Sequence, residues 1–190
     1  MSKFRFIILL LIPFIFLQGC ATAVVTSTEG AAIVPDRRTT GSIIDDQGIE
    51  FKASYAIFNN KAIYDQSHIN VTSYNGIVLI SGETLTEELK QQISNEVKVI
   101  PKVTRIHNEL TIGAPSALTS RSSDTWITSK IKAKLATSST IDPTYVKVVT
   151  ENGIVYLMGI LTHKEAEQAV DVVTKSAGVQ RVVKIFEYRD

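Results

Sequence analysis

Two thirteen-residue stretches, NVTSYNGIVLISG (70–82) and KVVTENGIVYLMG (147–159), carry Asn-Gly-Ile-Val and a later glycine in the same register, 77 positions apart. Each sets Asn-Gly between two apolar runs of period two, the strongest short-range signal for a β-hairpin. Val71 precedes the first turn and Ile77 and Leu79 follow it; Val148, Ile154 and Tyr156 stand in the same places around the second. A two-stranded hairpin is marginal alone, so each copy needs helices to cover one face. Helical spacing follows both: Leu89, Ile93, Val97 and Ile100 after the first, Ala166, Ala169, Val170, Val173 and Ala177 after the second. Thr162 with Glu165 makes a capping box for the second helix, and Thr84 with Glu87 makes the matching expectation for the first. Each copy ends in a strand pattern, VTRIHNELTI from Val103 and VQRVVKIFEY from Val179. Upstream, Ile49, Ala53 and Ile57 match Ile127, Ile131 and Leu135 as helical stripes. The pattern predicts an α/β (α+β sandwich) fold of two tandem αββαβ units, each a small mixed sheet packed on two helices.

The N-terminus reads as an export signal. Lys3 and Arg5 precede an apolar run over 6–17 that is broken by Pro13 and too short to cross a bilayer as a helix. Leu17-Gln18-Gly19-Cys20, followed by Ala21, resembles the lipobox of bacterial lipoproteins, with Gln18 in place of the usual small residue. That likeness implies cleavage before Cys20, acylation of its thiol and, with alanine rather than aspartate next, a lipid-anchored place in the outer membrane facing the periplasm. Cys20 is the only cysteine, so no intrachain disulfide is available. The expected parts are a signal peptide (1–19), a lipidated tether (20–46), a first domain (47–112), a linker (113–122) and a second domain (123–190). Residues 21–46 lack helical periodicity, and Arg37-Arg38 beside Asp36 reads as a solvated charge cluster rather than a docking point. Without residues 1–19 the chain keeps 18 Lys+Arg against 19 Asp+Glu, which argues against bulk nucleic-acid binding.

Catalytic patterns are absent from the sequence. There is no G-x-S-x-G elbow, no Walker-type phosphate loop and no G-x-G-x-x-G. His68, His107 and His163 are scattered without a metal-ligand partner at helix or loop spacing, so neither metal nor cofactor is expected. Glu87-Glu88 sits at a helix start, where it favours the positive end of the helix dipole. The expectation is that the chain is not an enzyme.

Trp126, the single tryptophan, lies about 140° from Ile131 on the helical wheel, off the apolar stripe. Ser129, Lys130, Ala133 and Thr137 surround it, with Lys134 and Ala136 at the edges. Four positive residues lie between 121 and 135, against Asp124 alone, which reads as an N-cap. The first copy has Gly48 at the matching position, so the repeat itself does not require an aromatic there. Two readings fit these residues: a membrane-interface patch with snorkelling lysines, or a ring packed against the first domain or a flanking loop.

The V-x-x-x-x-N-G-x-V-x-L-x-G pattern of the first copy, its counterpart in the second, and Gly178-Val179 with Val182 resemble the BON domain of bacterial envelope and osmotic-shock proteins. The likeness covers nearly all of the chain after residue 46. Pro101-Lys102 departs from it where the second copy has Ala177-Gly178, which bears on the turn before the last strand. The resemblance implies anionic phospholipid binding through the first helix of the second domain, at Trp126, Ser129, Lys130, Ala133, Lys134, Ala136 and Thr137. It also implies a role in envelope integrity, enrichment at the division site and contact with the outer-membrane β-barrel assembly machinery. A protein–protein adaptor acting on that machinery, with the second-domain helix docking a partner groove, is the alternative.

Overall fold

The computed structural model describes residues 36–139 and 141–190; Cys20, the signal segment and most of the expected tether lie outside them. The first unit runs α1 (Thr40–Asn59), α2 (Lys61–Tyr64), β1 (Ser67–Tyr74), β2 (Ile77–Thr84), α3 (Glu87–Lys98), β3 (Arg105–Asn108) and β4 (Thr111–Ile112). The second repeats the order as α4 (Leu118–Thr137), β5 (Lys147–Glu151), β6 (Ile154–Leu161), α5 (His163–Thr174) and β7 (Arg181–Tyr188), with a 3₁₀ turn at Pro143–Tyr145. In both, the hairpin is antiparallel and the closing strand joins its second arm in parallel. The mixed sheets and their helices are those expected.

Both Asn-Gly turns place asparagine and glycine at positive φ, 53° and 77° at Asn75-Gly76 and 49° and 73° at Asn152-Gly153. These are the two left-handed residues that a tight hairpin matching strand twist requires. The later glycine of the repeat has a different reason. A Cβ at Gly82 would collide with the carbonyl oxygen of His68, and one at Gly159 with that of Tyr145. Lys102 adopts φ 76° where the second copy uses Gly178 at φ 94°, so the turn survives the departure with a side chain in a strained region.

Each sheet buries its helix-facing side. Ile49, Ala53, Ile57, Val78, Ile80, Leu89, Ile93 and Val97 form one core; Ile127, Ile131, Leu135, Val155, Leu157, Ala169 and Val173 belong to the other. A third cluster joins the opposite sheet faces: Tyr74, Ile77 and Leu79 from the first unit meet Tyr156, Met158 and Ile185 from the second. The layers therefore run helices, sheet, sheet, helices. At the edges of this layer Asn75 donates to Glu187 at 2.8 Å and Lys147 to Glu50 at 2.9 Å.

Several local expectations are corrected. Residues 40–46, assigned to the tether, are the first turns of α1, begun by Thr39, whose hydroxyl accepts from the Ser42 amide at 3.0 Å. Arg37 and Arg38 are docked rather than solvated. Arg37 donates to both Glu165 oxygens (2.6 and 2.7 Å) and to the Ile160 carbonyl (2.8 Å), and its guanidinium lies 3.8 Å from the Tyr145 ring centroid. Arg38 bonds Asp36 and Asp46 and covers Tyr74 at 4.0 Å. The expected linker gives way to helix at Leu118. The first capping residue is Thr86, which accepts from the Leu89 amide at 3.2 Å; Thr84 stays in β2. The Val103 strand breaks after Asn108, whose side-chain oxygen takes the Leu110 amide. The Thr162–Glu165 capping box forms as expected.

Candidate functional site

The outer flank of α4 is held by what lies beneath it. Ile127, Ile131 and Leu135 anchor the helix on the second sheet. Asp124 is not the N-cap: it lies a turn and a half inside α4, buried, and accepts from the Asn152 and Gly153 amides at 2.9 and 2.8 Å. The helix is thereby bolted to the hairpin turn, and Asp124's charge is spent inward. Asp46 does the same in the first unit, accepting from the Asn75 and Gly76 amides at 2.7 and 2.9 Å and from the Ser73 hydroxyl at 2.6 Å.

Trp126 is 61% exposed and belongs to none of the apolar clusters of the described residues. The Lys130 ammonium sits 3.9 Å from the ring centroid and donates to the Ala177 carbonyl. Lys134 donates to Ser176 Oγ at 3.0 Å and the Lys175 carbonyl at 3.3 Å. Both lysines thus lean on carbonyls just past the C-terminus of α5, where the helix dipole favours cations. Ser129 and Thr137 return their hydroxyl protons to helix carbonyls, Ser129 to Thr125 at 2.9 Å and Thr137 to Ala133 at 3.2 Å. Ser122 and Thr125 do likewise. Ala133, Ala136 and Thr137 are exposed beside them. A composition that looks hydrophilic therefore presents methyls, an indole and two cations, its hydroxyl donors already satisfied within the helix.

One exposed feature was not anticipated. On α1, Phe51, Tyr55 and Phe58 are exposed, with Tyr64 of α2 packed edge-on to Phe58 at 5.0 Å between centroids. With the 78-residue offset that pairs Gly48 with Trp126, they occupy the places of Ser129, Ala133 and Ala136. Their i, i+4, i+7 spacing was the available signal.

Comparison with known proteins agrees with the repeat. The model for the BON domain matches residues 45–114 and 123–190. The chain is 36% identical over 191 residues to the outer membrane lipoprotein DolP of Haemophilus influenzae, covering 100% of this chain and 99% of that one. It is 35% identical over 153 residues to a 21 kDa hemolysin of Actinobacillus pleuropneumoniae, covering 80% and 79%. Among solved structures, CdsD of the type III secretion system of Chlamydia trachomatis aligns at 19% identity and a TM-score of 0.30; the match spans 76% of this chain and 63% of that one.

Proposed function

The chain belongs to the BON-domain family and is an outer-membrane lipoprotein; from that premise we propose that it reads anionic phospholipid through the outer flank of α4. It faces the periplasm, is not an enzyme, and supports envelope integrity where anionic lipid gathers, the division site included. The observation that carries this reading is Trp126, a solvent-exposed indole with a lysine over its face on a helix of net positive charge. An amphipathic ring flanked by cations suits the headgroup boundary.

Magnitudes favour a tethered reader. Burying the indole contributes about 2–3 kcal/mol, and each lysine near an anionic surface ~1 kcal/mol. A sum of ~4–5 kcal/mol corresponds to a dissociation constant near ~1 mM or somewhat below. Such a contact is weak in solution and useful when a lipid anchor raises the effective concentration.

Because Trp126 is the only tryptophan, its fluorescence reports this face alone. Adding phosphatidylglycerol vesicles should shift its emission to the blue, phosphatidylcholine vesicles should do so less, and Lys130→Glu should weaken the response most at low salt. Unchanged emission with both lipids would refute the proposal. The adaptor reading, with the β-barrel assembly machinery as partner, is favoured by a different observation, the aromatic face of α1. It predicts that loss of Phe51 and Tyr55 abolishes pull-down of that machinery while vesicle binding persists.

A further inference from the structure

Outside the α4 flank, three chemically matched side chains converge from three strands and both units. His68 (β1) faces Glu83 (β2) across the antiparallel ladder, and Glu151 ends β5. Their ligand atoms all lie within 4.8 Å of one another: His68 Nδ1 is 3.2 Å from Glu83 Oε2 and 3.8 Å from Glu151 Oε1. Glu83 and Glu151 are only 4% and 5% exposed. Two carboxylates taken from water need compensation. Arg121 and Lys132 line the cleft beside them, yet among the described residues neither pairs with Glu83 or Glu151, and Arg121 turns to the Ser116 carbonyl at 2.9 Å. Asp124 also lines the cleft, but its carboxylate is turned to the hairpin amides and is not among the groups whose ligand atoms converge.

We propose that His68, Glu83 and Glu151 form a divalent transition-metal site, best fitted by zinc, that clamps the two units together. One imidazole and two carboxylates are zinc donors, and ligand atoms 2.0–2.1 Å from a tetrahedral ion stand about 3.3 Å apart. The His68–Glu83 separation already meets that spacing, the Glu151 oxygen stands about half an ångström beyond it from His68, and the three ligand atoms lie within 4.8 Å of one another, so modest side-chain closure completes the set.

The surroundings resemble a supporting shell. Asn70 donates to Glu151 Oε2 at 2.8 Å, Asn152 to Glu83 Oε1 at 2.5 Å, and the Ser116 amide to Glu83 Oε2 at 3.1 Å. Such partners orient ligating carboxylates. Ser81, 1% exposed, has a hydroxyl without a hydrogen-bond partner among the described residues. It lies two residues from Glu83 on the same sheet face and opposite Asn70, whose side chain holds Glu151. The cleft of about 510 Å³ that His68, Asn70 and Glu151 line gives a hydrated ion a way in. Binding requires a lone pair on His68 Nδ1, so its proton leaves to solvent or resides on Nε2.

The test uses the full chain purified in detergent, stripped with chelator and titrated calorimetrically with zinc, calcium and magnesium. One zinc per chain is expected, bound more tightly than calcium or magnesium. Affinity should fall at least ~10-fold in His68→Gln and in Glu151→Gln. His163→Ala should leave it unchanged, which separates the site from the exposed His163–Asp190 pair. In the wild-type chain, zinc should move the Nδ1 resonance of His68 and leave those of His107 and His163 in place, a readout independent of whether any variant folds. Absence of zinc binding, calcium outcompeting zinc, undiminished affinity in both ligand variants, or a shift at His163 instead would each overturn the proposal.

Discussion

Removing the aspartate that joins each first helix to its hairpin turn should destabilise the protein, and unequally in the two copies. Asp46 accepts four hydrogen bonds, from Ser73 Oγ, the amides of Asn75 and Gly76, and Arg38 at 2.9 Å. Asp124 accepts two, from the amides of Asn152 and Gly153. Truncation to alanine leaves donors in places that water reaches poorly, and each buried unsatisfied group costs roughly 1–3 kcal/mol, more where a charge is involved. Arg38 keeps Asp36 as a partner, so its loss is partial. Asp46→Ala should therefore cost about 3–5 kcal/mol and Asp124→Ala about 2–3 kcal/mol. Asp→Asn should fall between, because the amide keeps one acceptor oxygen and turns its NH₂ towards another donor. Equilibrium unfolding in urea measures the difference, and the midpoint should drop with the slope unchanged. A cost below about 1 kcal/mol for Asp46→Ala, or a larger cost at Asp124 than at Asp46, would show that these bonds do not hold the turns.

Four further outcomes are expected, three from the geometry and the last from the lipobox-like Leu17–Cys20 stretch. Trp126→Ala should change stability by less than about 1 kcal/mol, measured by the same unfolding curves, while reducing flotation with anionic vesicles. Lys102→Gly should stabilise by roughly 0.5–1 kcal/mol, since it relieves a positive φ, visible as a higher melting temperature. Arg37 holds the Glu165 carboxyl down to about 2 from its ordinary 4.5. A depressed carboxyl stabilises the fold above its unfolded value, and that contribution fades as pH falls from about 4.5 towards 2. Discounted for partial exposure it amounts to about 2 kcal/mol, and Arg37→Ala should flatten this acid limb in unfolding measured from pH 6 to 2. Cys20→Ala should release the protein from outer-membrane fractions, unacylated by mass spectrometry.

Much of the fold was legible because it rests on short-range chemistry. Asn-Gly between period-two runs marks both hairpins, and the helical stripes at Ile49 and Ile127 mark the faces that close each core. The run Ile77 to Ile80, read as a period-two hairpin arm, is in fact unbroken and covered on both faces, as a strand between a helix layer and a second sheet must be. What stayed hidden depends on groups far apart in the chain. Asp124 looked like an N-cap because its real partners lie 28 and 29 residues onward, although the repeat offset that pairs Gly48 with Trp126 also pairs Asp46 with Asp124. Arg37 finds Glu165 across 128 residues. His68 looked partnerless since neither glutamate lies at helix or loop spacing from it; only the stacking of two sheets brings them together. At the candidate membrane face, the wheel located Trp126 and its neighbours, but not the turning of Lys130 and Lys134 onto the end of α5.

The sheet-to-sheet layer has a consequence for chains that carry one such unit. Ile77 and Leu79 in one copy, and Ile154 and Tyr156 in the other, are matching positions of equivalent strands, and both sets contribute to the shared layer. The two halves thus meet as the protomers of an isologous dimer would, the same patch serving on both sides. Covalent linkage makes the pairing independent of protein concentration. A solitary unit with the same apolar strand face would have to find a twin, and its folding would then depend on dilution where that of the tandem chain does not.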